Sequence, residues 1–299
     1  MTIIMRREKK GVKYFVVDAF TDSAFKGNPA AVCFLDDERD DTWLQSLAAE
    51  FNISETSFLT PINSGFEQPR FTLRWFTPLA EVDLCGHATL ASAHCLFSNG
   101  LVDTDKVEFV TRSGILTANR VSDTSELSDG EVKPGSFFIE LNFPVVPTSD
   151  INLSDVSSSL INKALNGATI VDIKATATNN ILVVLPSMES VNELQPRMDD
   201  ILKCPCNGII VTAAGSAGSA YDFYSRYFAP KFGIDEDPVC GSAHCALAHY
   251  WSLKMNKCDF LAYQASLRSG TIRIHLDKEK QRVLLRGKSV TVMEGHVLV

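Results

Sequence analysis

The sequence predicts an α+β protein built from two similar domains, because one stretch of the chain occurs twice. Residues 71–96 and 223–250 each contain an alternating aromatic run, a proline, a short acidic loop and a Cys-Gly pair. Over the eleven positions that start at Cys85 and at Cys240, six residues are identical. The copies lie about 150 residues apart, far beyond the roughly 20 to 50 residues of a solenoid repeat. We therefore predict two homologous domains that face each other.

Each copy predicts a strand, a loop and a helix in that order. Phe71, Leu73 and Trp75 alternate with the period of a strand, and the proline that follows ends the pattern. Residues 86–98 and 241–253 then carry Ala, Leu and His at helical spacing, without an internal proline or glycine. The Cys-Gly pair therefore stands at the N-terminus of each predicted helix.

The two helix N-termini suggest a site for an anion. Backbone N–H groups in the first turn of a helix lack intrahelical partners, and the helix dipole places about half a positive charge there. Two such turns from facing domains would enclose one small carboxylate or phosphate. Because the chain has a net charge of -8, these local dipoles must attract the anion, and nucleic acid is not expected as a partner.

The remaining elements fit the same repeat. Asn28 and Asn180 are 152 residues apart, which is also the separation of Phe71 and Phe223, and each asparagine precedes an apolar strand. Further strands are predicted at 12–20, 30–35, 54–59, 107–110, 115–119, 137–141 and 208–212, with a run of short strands over 261–292. Amphipathic helices are predicted at 41–51 and 154–165. The polar stretch 121–135 suggests domains at 1–128 and 129–299, and the last strand can pack back on the first domain.

Composition indicates an ordinary globular chain. Its 299 residues suit about two domains, and 45% of them are hydrophobic. The N-terminal residues lack the apolar run of a signal peptide, and no stretch of about 18 apolar residues predicts a membrane span. Eight cysteines without regular spacing are expected to be reduced thiols. We therefore expect a cytoplasmic protein.

Four motifs in order resemble the phenazine-biosynthesis-like (PhzF-type) isomerases. They are Asp18-Ala19-Phe20 with GNPAAV at 27–32, NISET at 52–56, CGHAT at 85–89 and EDPVCGSA at 236–243. The resemblance implies two pseudo-symmetric domains, each a central helix wrapped by a mostly antiparallel sheet, as in diaminopimelate epimerase and proline racemase. It also implies a homodimeric isomerase that moves a proton with one glutamate, without a cofactor or metal.

The resemblance assigns roles to residues that are ambiguous alone. Glu55 is one acid among 36 Asp and Glu and could simply be a solvated or capping carboxylate, but the motif makes it the general acid/base. Asp237 could cap the second helix, and His87 could be a core histidine; the family match makes both catalytic. His94, two turns further along, is expected to be structural. Five residues at the two turns are expected to bind the substrate carboxylate: Gly86, Ala88, Gly241, Ser242 and Ala243.

A thiol-pair racemase or epimerase is the alternative. In racemases of this fold, one thiol per domain at the helix N-terminus acts as base or acid, and Cys85 and Cys240 occupy these two positions. A helix N-terminus lowers the pKa of a thiol, which suits such chemistry. Racemase motifs have a second glycine where this chain has Ala88 and Ala243, whereas Glu55 is typical of the isomerases.

A third interpretation is a metal site or a binding protein without turnover. Several cysteines and histidines are possible ligands: Cys85, His87, His94, Cys95, Cys204, Cys206, Cys240, His244, Cys245 and His249. Their spacings match no common zinc pattern, so we expect no metal. The expected ligand is a small anionic metabolite whose acidic C–H lies beside an unsaturated or carbonyl carbon, within reach of a side-chain base.

Overall fold

The computed structural model describes residues 11–62, 65–123, 136–151 and 158–298, and it has the predicted α+β architecture. The helices are α1 (Asp41–Phe51), α2 (Gly86–Ser98), α3 (Ser158–Ala164), α4 (Met188–Asn192), α5 (Met198–Ile201) and α6 (Gly241–Met255). The strands of the first half are β1 (Val12–Ala19), β2 (Asn28–Phe34), β3 (Glu55–Pro61), β4 (Arg70–Phe76), β5 (Glu81–Val82), β6 (Lys106–Thr111) and β7 (Gly114–Ser122). The later strands are β8 (Phe137–Pro144), β9 (Thr148–Asp150), β10 (Asp172–Thr176), β11 (Ile181–Val184), β12 (Ile209–Ala214), β13 (Phe223–Ala229), β14 (Ile234–Asp237), β15 (Asp259–Gln264), β16 (Gly270–Asp277), β17 (Arg282–Gly287) and β18 (Ser289–Val297).

The two halves of the chain repeat one pattern of strand pairing. In the first half, β1–β2 is antiparallel, β2–β3 parallel, β3–β4 antiparallel, β4–β6 parallel and β6–β7 antiparallel. In the second half, β10–β11, β11–β12, β12–β13, β13–β15 and β15–β16 follow the same directions in the same order. The sequence repeat therefore corresponds to a repeat of topology.

A buried helix lies at the centre of each half. Helices α2 and α6 start at Gly86 and Gly241, as predicted, and each is buried on most of its faces. Helices with apolar residues all round belong in the interior of a protein. Helix α2 packs against strands β1, β2, β3, β7, β8 and β18, and α6 packs against β9, β16 and β17. Each helix is thus covered by strands of one continuous sheet.

Two strands join the halves. Strand β8 lies between β7 of the first half and β17 of the second, antiparallel to both. Strand β18 returns to the first half and pairs antiparallel with β1, from Val12 opposite Val297 to Ala19 opposite Ser289. The largest group of buried apolar side chains likewise contains residues of both α2 and α6. The halves therefore share one core.

Local sequence signals account for the ends of the helices. Helix α1 covers the predicted residues 41–51: the Asp40 side chain accepts a hydrogen bond from Trp43 N–H at its start, and Asn52 adopts a left-handed conformation at its end. The predicted helix at 154–165 is observed from Ser158, and residues 152–157 lie outside the described part of the chain. The predicted boundary near residue 128 also lies outside it. Within the described ranges, no helix has the length and apolar character needed to cross a membrane.

We predict that the shared core makes unfolding a single transition that depends strongly on α6. Leu247→Ala removes a fully buried side chain and should lower the free energy of unfolding by about 2–5 kcal/mol. Leu253→Ala is the matched control, because Leu253 lies on the same helix but is 66% exposed. Urea unfolding followed by circular dichroism and tryptophan fluorescence measures both changes. Two separate transitions would show that the halves do not share a core.

Candidate active site

The N-termini of α2 and α6 meet where the two halves contact each other. A Cβ atom built on Gly86 would lie 3.6 Å from the Cα of Gly241, and one built on Gly241 would lie 3.7 Å from the Cα of Gly86. The two predicted anion-binding turns are therefore in contact. Their first-turn N–H groups have no partners within the helices, so both turns offer donors to the same small volume.

Three predicted residues of the first half form one buried group. Glu55 is the first residue of β3, His87 lies in the first turn of α2, and Cys85 precedes that helix. Glu55 Oε2 is 3.0 Å from His87 Nε2, and Cys85 Sγ is 3.4 Å from His87 Nδ1. Neither Glu55 Oε2 nor His87 Nε2 has a well-aligned hydrogen bond among the described residues. The carboxylate therefore approaches the ring without being held in a fixed geometry.

Asp237 of the second half joins this group through Asn28. The Asn28 Nδ2 group donates a hydrogen bond to Asp237 Oδ1 at 2.8 Å and lies 3.1 Å from His87 Nδ1. It also donates to the carbonyl oxygen of Val239 at 3.1 Å. The backbone N–H of Val239 donates to Asp237 Oδ1 at 3.1 Å. Asn28 therefore connects Asp237 of the second half to His87 of the first half.

The second helix begins with a thiol and a hydroxyl. Cys240 Sγ is 3.2 Å from Ser242 Oγ, and Ser242 is exposed while Cys240 is buried. Gln264, fully buried on β15, accepts the backbone N–H of Cys240 at 2.9 Å and donates to the carbonyl oxygen of Asp237 at 2.6 Å. Gln264 therefore fixes the loop between β14 and α6, and Ser242 marks where the site reaches solvent.

Both thiols are held in the protonated form. Burial raises the pKa of Cys85, and the neighbouring charge of Glu55 raises it further. Burial raises the pKa of Cys240 as well, and the charge of Asp237 adds to this rise. A carboxylate beside each thiol thus opposes the effect of the helix N-terminus. Neither sulfur is therefore a ready base.

Burial and neighbouring charges also shift the pKa of Asp237 and of His87. Burial raises the pKa of Asp237 to about 6; His87 opposes this rise and Glu55 adds to it. Burial disfavours a charge on His87, but its contacts with Cys85 and Glu55 outweigh burial and raise the pKa of the ring. Asp237 can therefore exchange a proton close to neutral pH, beside a histidine whose pKa is raised.

One group of side chains could hold a metal ion. Donor atoms of Glu55, Cys85 and His87 lie within 4.8 Å of one another, and all three residues are buried. Three donors are fewer than the four of a closed structural zinc site. The residues present therefore suit proton transfer better than a structural metal.

The structure brings together Glu55, His87 and Asp237, which the sequence singles out as catalytic candidates, and separates them from the other histidines. His94 lies further along α2, where its ring is near the hydroxyls of Thr291 and Ser98. The other candidate ligands are dispersed as well. His244 is buried beside the carbonyl oxygen of Cys240, at 2.7 Å from Nδ1, and His249 contacts Thr148. These side chains do not converge with Glu55.

Sequence reasoning missed Asn28 and Gln264. Asn28 belongs to the GNPAAV motif and repeats as Asn180, and these two signals could have identified it. Gln264 ends a strand and carries no local signal in the sequence. The predicted anion-binding residues lie at the two helix N-termini: Gly86, Ala88, Gly241, Ser242 and Ala243.

Comparisons with known proteins identify the family of the chain. The model of the phenazine biosynthesis-like protein family matches residues 17–295. An uncharacterized isomerase of Halalkalibacterium halodurans is 44% identical over 287 residues, which cover 95% of this chain and 98% of that protein. The crystal structure of a PhzF-family phenazine biosynthesis protein from Enterococcus faecalis has a TM-score of 0.82 and 34% identity, covering 97% of this chain and 100% of that one.

A more distant structure shares the fold alone. The hydroxyproline epimerase of Agrobacterium vitis has a TM-score of 0.60 at 10% identity, covering 98% of this chain and 94% of that one. Its similarity agrees with the two-domain architecture of pseudo-symmetric halves. The extent and identity of the sequence matches establish that the chain is an isomerase of the phenazine biosynthesis-like (PhzF-type) family.

Proposed function

We propose that the enzyme is a cofactor-independent isomerase that moves a proton on a small carboxylate-bearing substrate, with Glu55 as general acid/base. The observation that carries this proposal is the pairing of Glu55 with His87 at 3.0 Å, next to the meeting point of two helix N-termini. A base must lie close to the place where the substrate is held. Here the base and the anion-binding turns belong to one group of contacts.

The helix turns orient the substrate and stabilise the charge that develops on it. N–H groups of the first turns at Gly86 and Gly241 bind the substrate carboxylate. Glu55 then takes a proton from the acidic carbon. The electron pair of the broken C–H bond moves into the adjacent unsaturated or carbonyl group, and a proton is added at another carbon. No net oxidation occurs, so the isomerisation needs no redox partner.

His87 and Asp237 complete the proton transfer. His87 contacts Glu55 through Nε2 and can share the proton that Glu55 receives. Asp237, with its pKa raised to about 6, exchanges a proton easily near neutral pH and lies on the side of the second half. Two acids from different halves suit removal of a proton at one carbon and its return at another.

A thiol-pair racemase is the second candidate, because Cys85 and Cys240 flank the two helix N-termini as such a mechanism requires. The carboxylates beside them argue against it, since burial together with Glu55 or Asp237 keeps each thiol protonated. A two-base thiol mechanism needs one thiolate in the resting enzyme. Glu55 is the stronger candidate for the base.

We predict that Glu55→Gln lowers solvent-deuterium exchange into the substrate at least about hundredfold. The amide keeps the size and polarity of the side chain but cannot accept the proton. Exchange is measured by NMR or mass spectrometry with a panel of amino acids and cyclic unsaturated acids. Glu50→Gln is the matched control, because Glu50 lies exposed on α1 and should leave exchange unchanged.

The same assay contains EDTA, which separates proton transfer from metal chemistry. Exchange that survives chelation in wild type and disappears in Glu55→Gln would support the proposal. Exchange that is lost on chelation would instead indicate that Glu55, Cys85 and His87 hold a catalytic metal. Undiminished exchange in Glu55→Gln would remove Glu55 as the base.

The serine variants of the thiols distinguish the two catalytic hypotheses. Cys85→Ser and Cys240→Ser should each lower exchange less than about tenfold, because the thiols only line the site. Iodoacetamide should react first with Cys258, the one cysteine that is not fully buried, and leave activity largely intact. Peptide mass spectrometry identifies the modified residue. Near-complete loss of exchange in either serine variant would favour the racemase.

Asp237 should make stability depend on pH in a specific direction. Its carboxyl group has a higher pKa in the folded than in the unfolded protein, so the folded state binds the proton more tightly and loses stability as pH rises. Relative to Asp237→Asn, the free energy of unfolding of wild type should fall by up to about 3 kcal/mol between pH 4 and pH 7. Urea unfolding at several pH values measures this. Asp235→Asn, on the same strand but exposed, is the control, and an identical trend there would contradict the assignment.

A further inference from the structure

We propose that Asn28 is a positioning residue that holds His87 with Nδ1 as acceptor and its N–H at Nε2, facing Glu55, while joining the ring to Asp237. This inference rests on the proposed function, because it explains how the Glu55–His87 pair is prepared. Asn28 is fully buried at the start of β2. Its Nδ2 group lies within 3.1 Å of three atoms: Asp237 Oδ1, the carbonyl oxygen of Val239 and His87 Nδ1.

The contacts fix which way the amide points. Asp237 Oδ1 and the carbonyl oxygen of Val239 can only accept from Asn28, so the NH₂ group must face them. Asn28 Oδ1 is buried and has no hydrogen-bond partner within the described ranges. An unpaired buried acceptor costs about 1–3 kcal/mol. Rotation of the amide would place this oxygen against two other acceptors, so the observed orientation is the more stable one despite that cost.

The orientation of the amide determines the proton on His87. Nδ1 lies 3.1 Å from the Asn28 NH₂ group, whose two hydrogens are shared among three acceptors, and 3.4 Å from the thiol of Cys85. Both neighbours are donors, so Nδ1 is the acceptor and the ring proton lies on Nε2, 3.0 Å from Glu55 Oε2. Asn28 also opposes a second proton on Nδ1. Loss of its amide should therefore make the ring easier to protonate.

The repeat supplies a matched control in Asn180. It precedes β11 as Asn28 begins β2, and it is 152 residues further along the chain. Asn180 instead donates to Thr178 Oγ1 and accepts from the hydroxyl of Tyr227, each at 3.1 Å. It touches neither Asp237 nor His87 in the described structure. The two halves keep the same asparagine, and only the first one reaches the catalytic side chains.

The first experiment locates the ring proton of His87 in the wild-type enzyme. Nitrogen-15 NMR of labelled histidine, assigned with the His87→Gln variant, distinguishes the two neutral forms of the ring. We expect the neutral form of the ring, measured at a pH above its titration, to carry its proton on Nε2 and none on Nδ1. A neutral ring with its proton on Nδ1 would overturn the proposal. This result does not depend on turnover, so it is separate from the Glu55→Gln test of the proposed function.

The second experiment compares Asn28→Ala with Asn180→Ala. Asn28→Ala should lower kcat about 10- to 100-fold while changing KM less than about threefold, because misplacement of a catalytic group by about 1 Å has an effect of this size. The His87 titration should move to higher pH. Asn180→Ala should stay within about twofold of wild type in both constants.

Asn28→Ser is a second variant that keeps the proposal testable if Asn28→Ala fails to fold. The hydroxyl restores one donor in a smaller side chain and should recover part of the lost kcat, with the His87 titration returning toward that of wild type. Wild-type kcat and an unchanged His87 titration in a folded Asn28→Ala would refute the positioning role. Failure of the Glu55→Gln prediction together with the expected His87 spectrum would instead refute the proposed function alone.

Discussion

The meeting of two helix N-termini at Gly86 and Gly241 is the constraint on which the rest of the structure depends. Each turn carries about half a positive charge, so two of them in contact repel each other. The shared apolar core around α2 and α6 holds them together, and the nearby carboxylates of Glu55 and Asp237 offset part of the repulsion. A bound substrate carboxylate would offset more of it. The contact that brings two partial positive charges together therefore also favours a bound anion.

Much of the fold was predictable because it repeats. Two copies of one sequence pattern located both central helices at their first residues, and amphipathic spacing located α1. The contacts of Asn28 and Gln264 were not predictable. Asn28 donates a hydrogen bond to Asp237, which is 209 residues further along the chain. A search of the sequence for acids, bases and thiols does not select a neutral amide. Such a contact depends on how two halves dock, which local propensity does not encode.

The symmetry of the scaffold does not extend to its chemistry. In the first half, Glu55 of β3 lies opposite Ala30 of β2; the corresponding pair in the second half is Ile210 of β12 and Leu182 of β11. His87 in the turn of α2 corresponds to Ser242 in the turn of α6. The two helix N-termini therefore carry different side chains. A symmetric pair of bases suits inversion at one carbon, whereas unlike groups suit movement of a proton between two carbons.

The pairing of β1 with β18 affects the order in which the chain can fold during synthesis. Strand β1 lies between β2 and β18, so one side of it lacks its partner until residues 289–297 have left the ribosome. An unpaired strand is a template for wrong pairing and aggregation. The sheet of the first half, which carries Glu55, is thus completed by a strand that is made about 270 residues after β1. Pairing over such a sequence separation favours slow folding, and the nascent first half should be a substrate for chaperones.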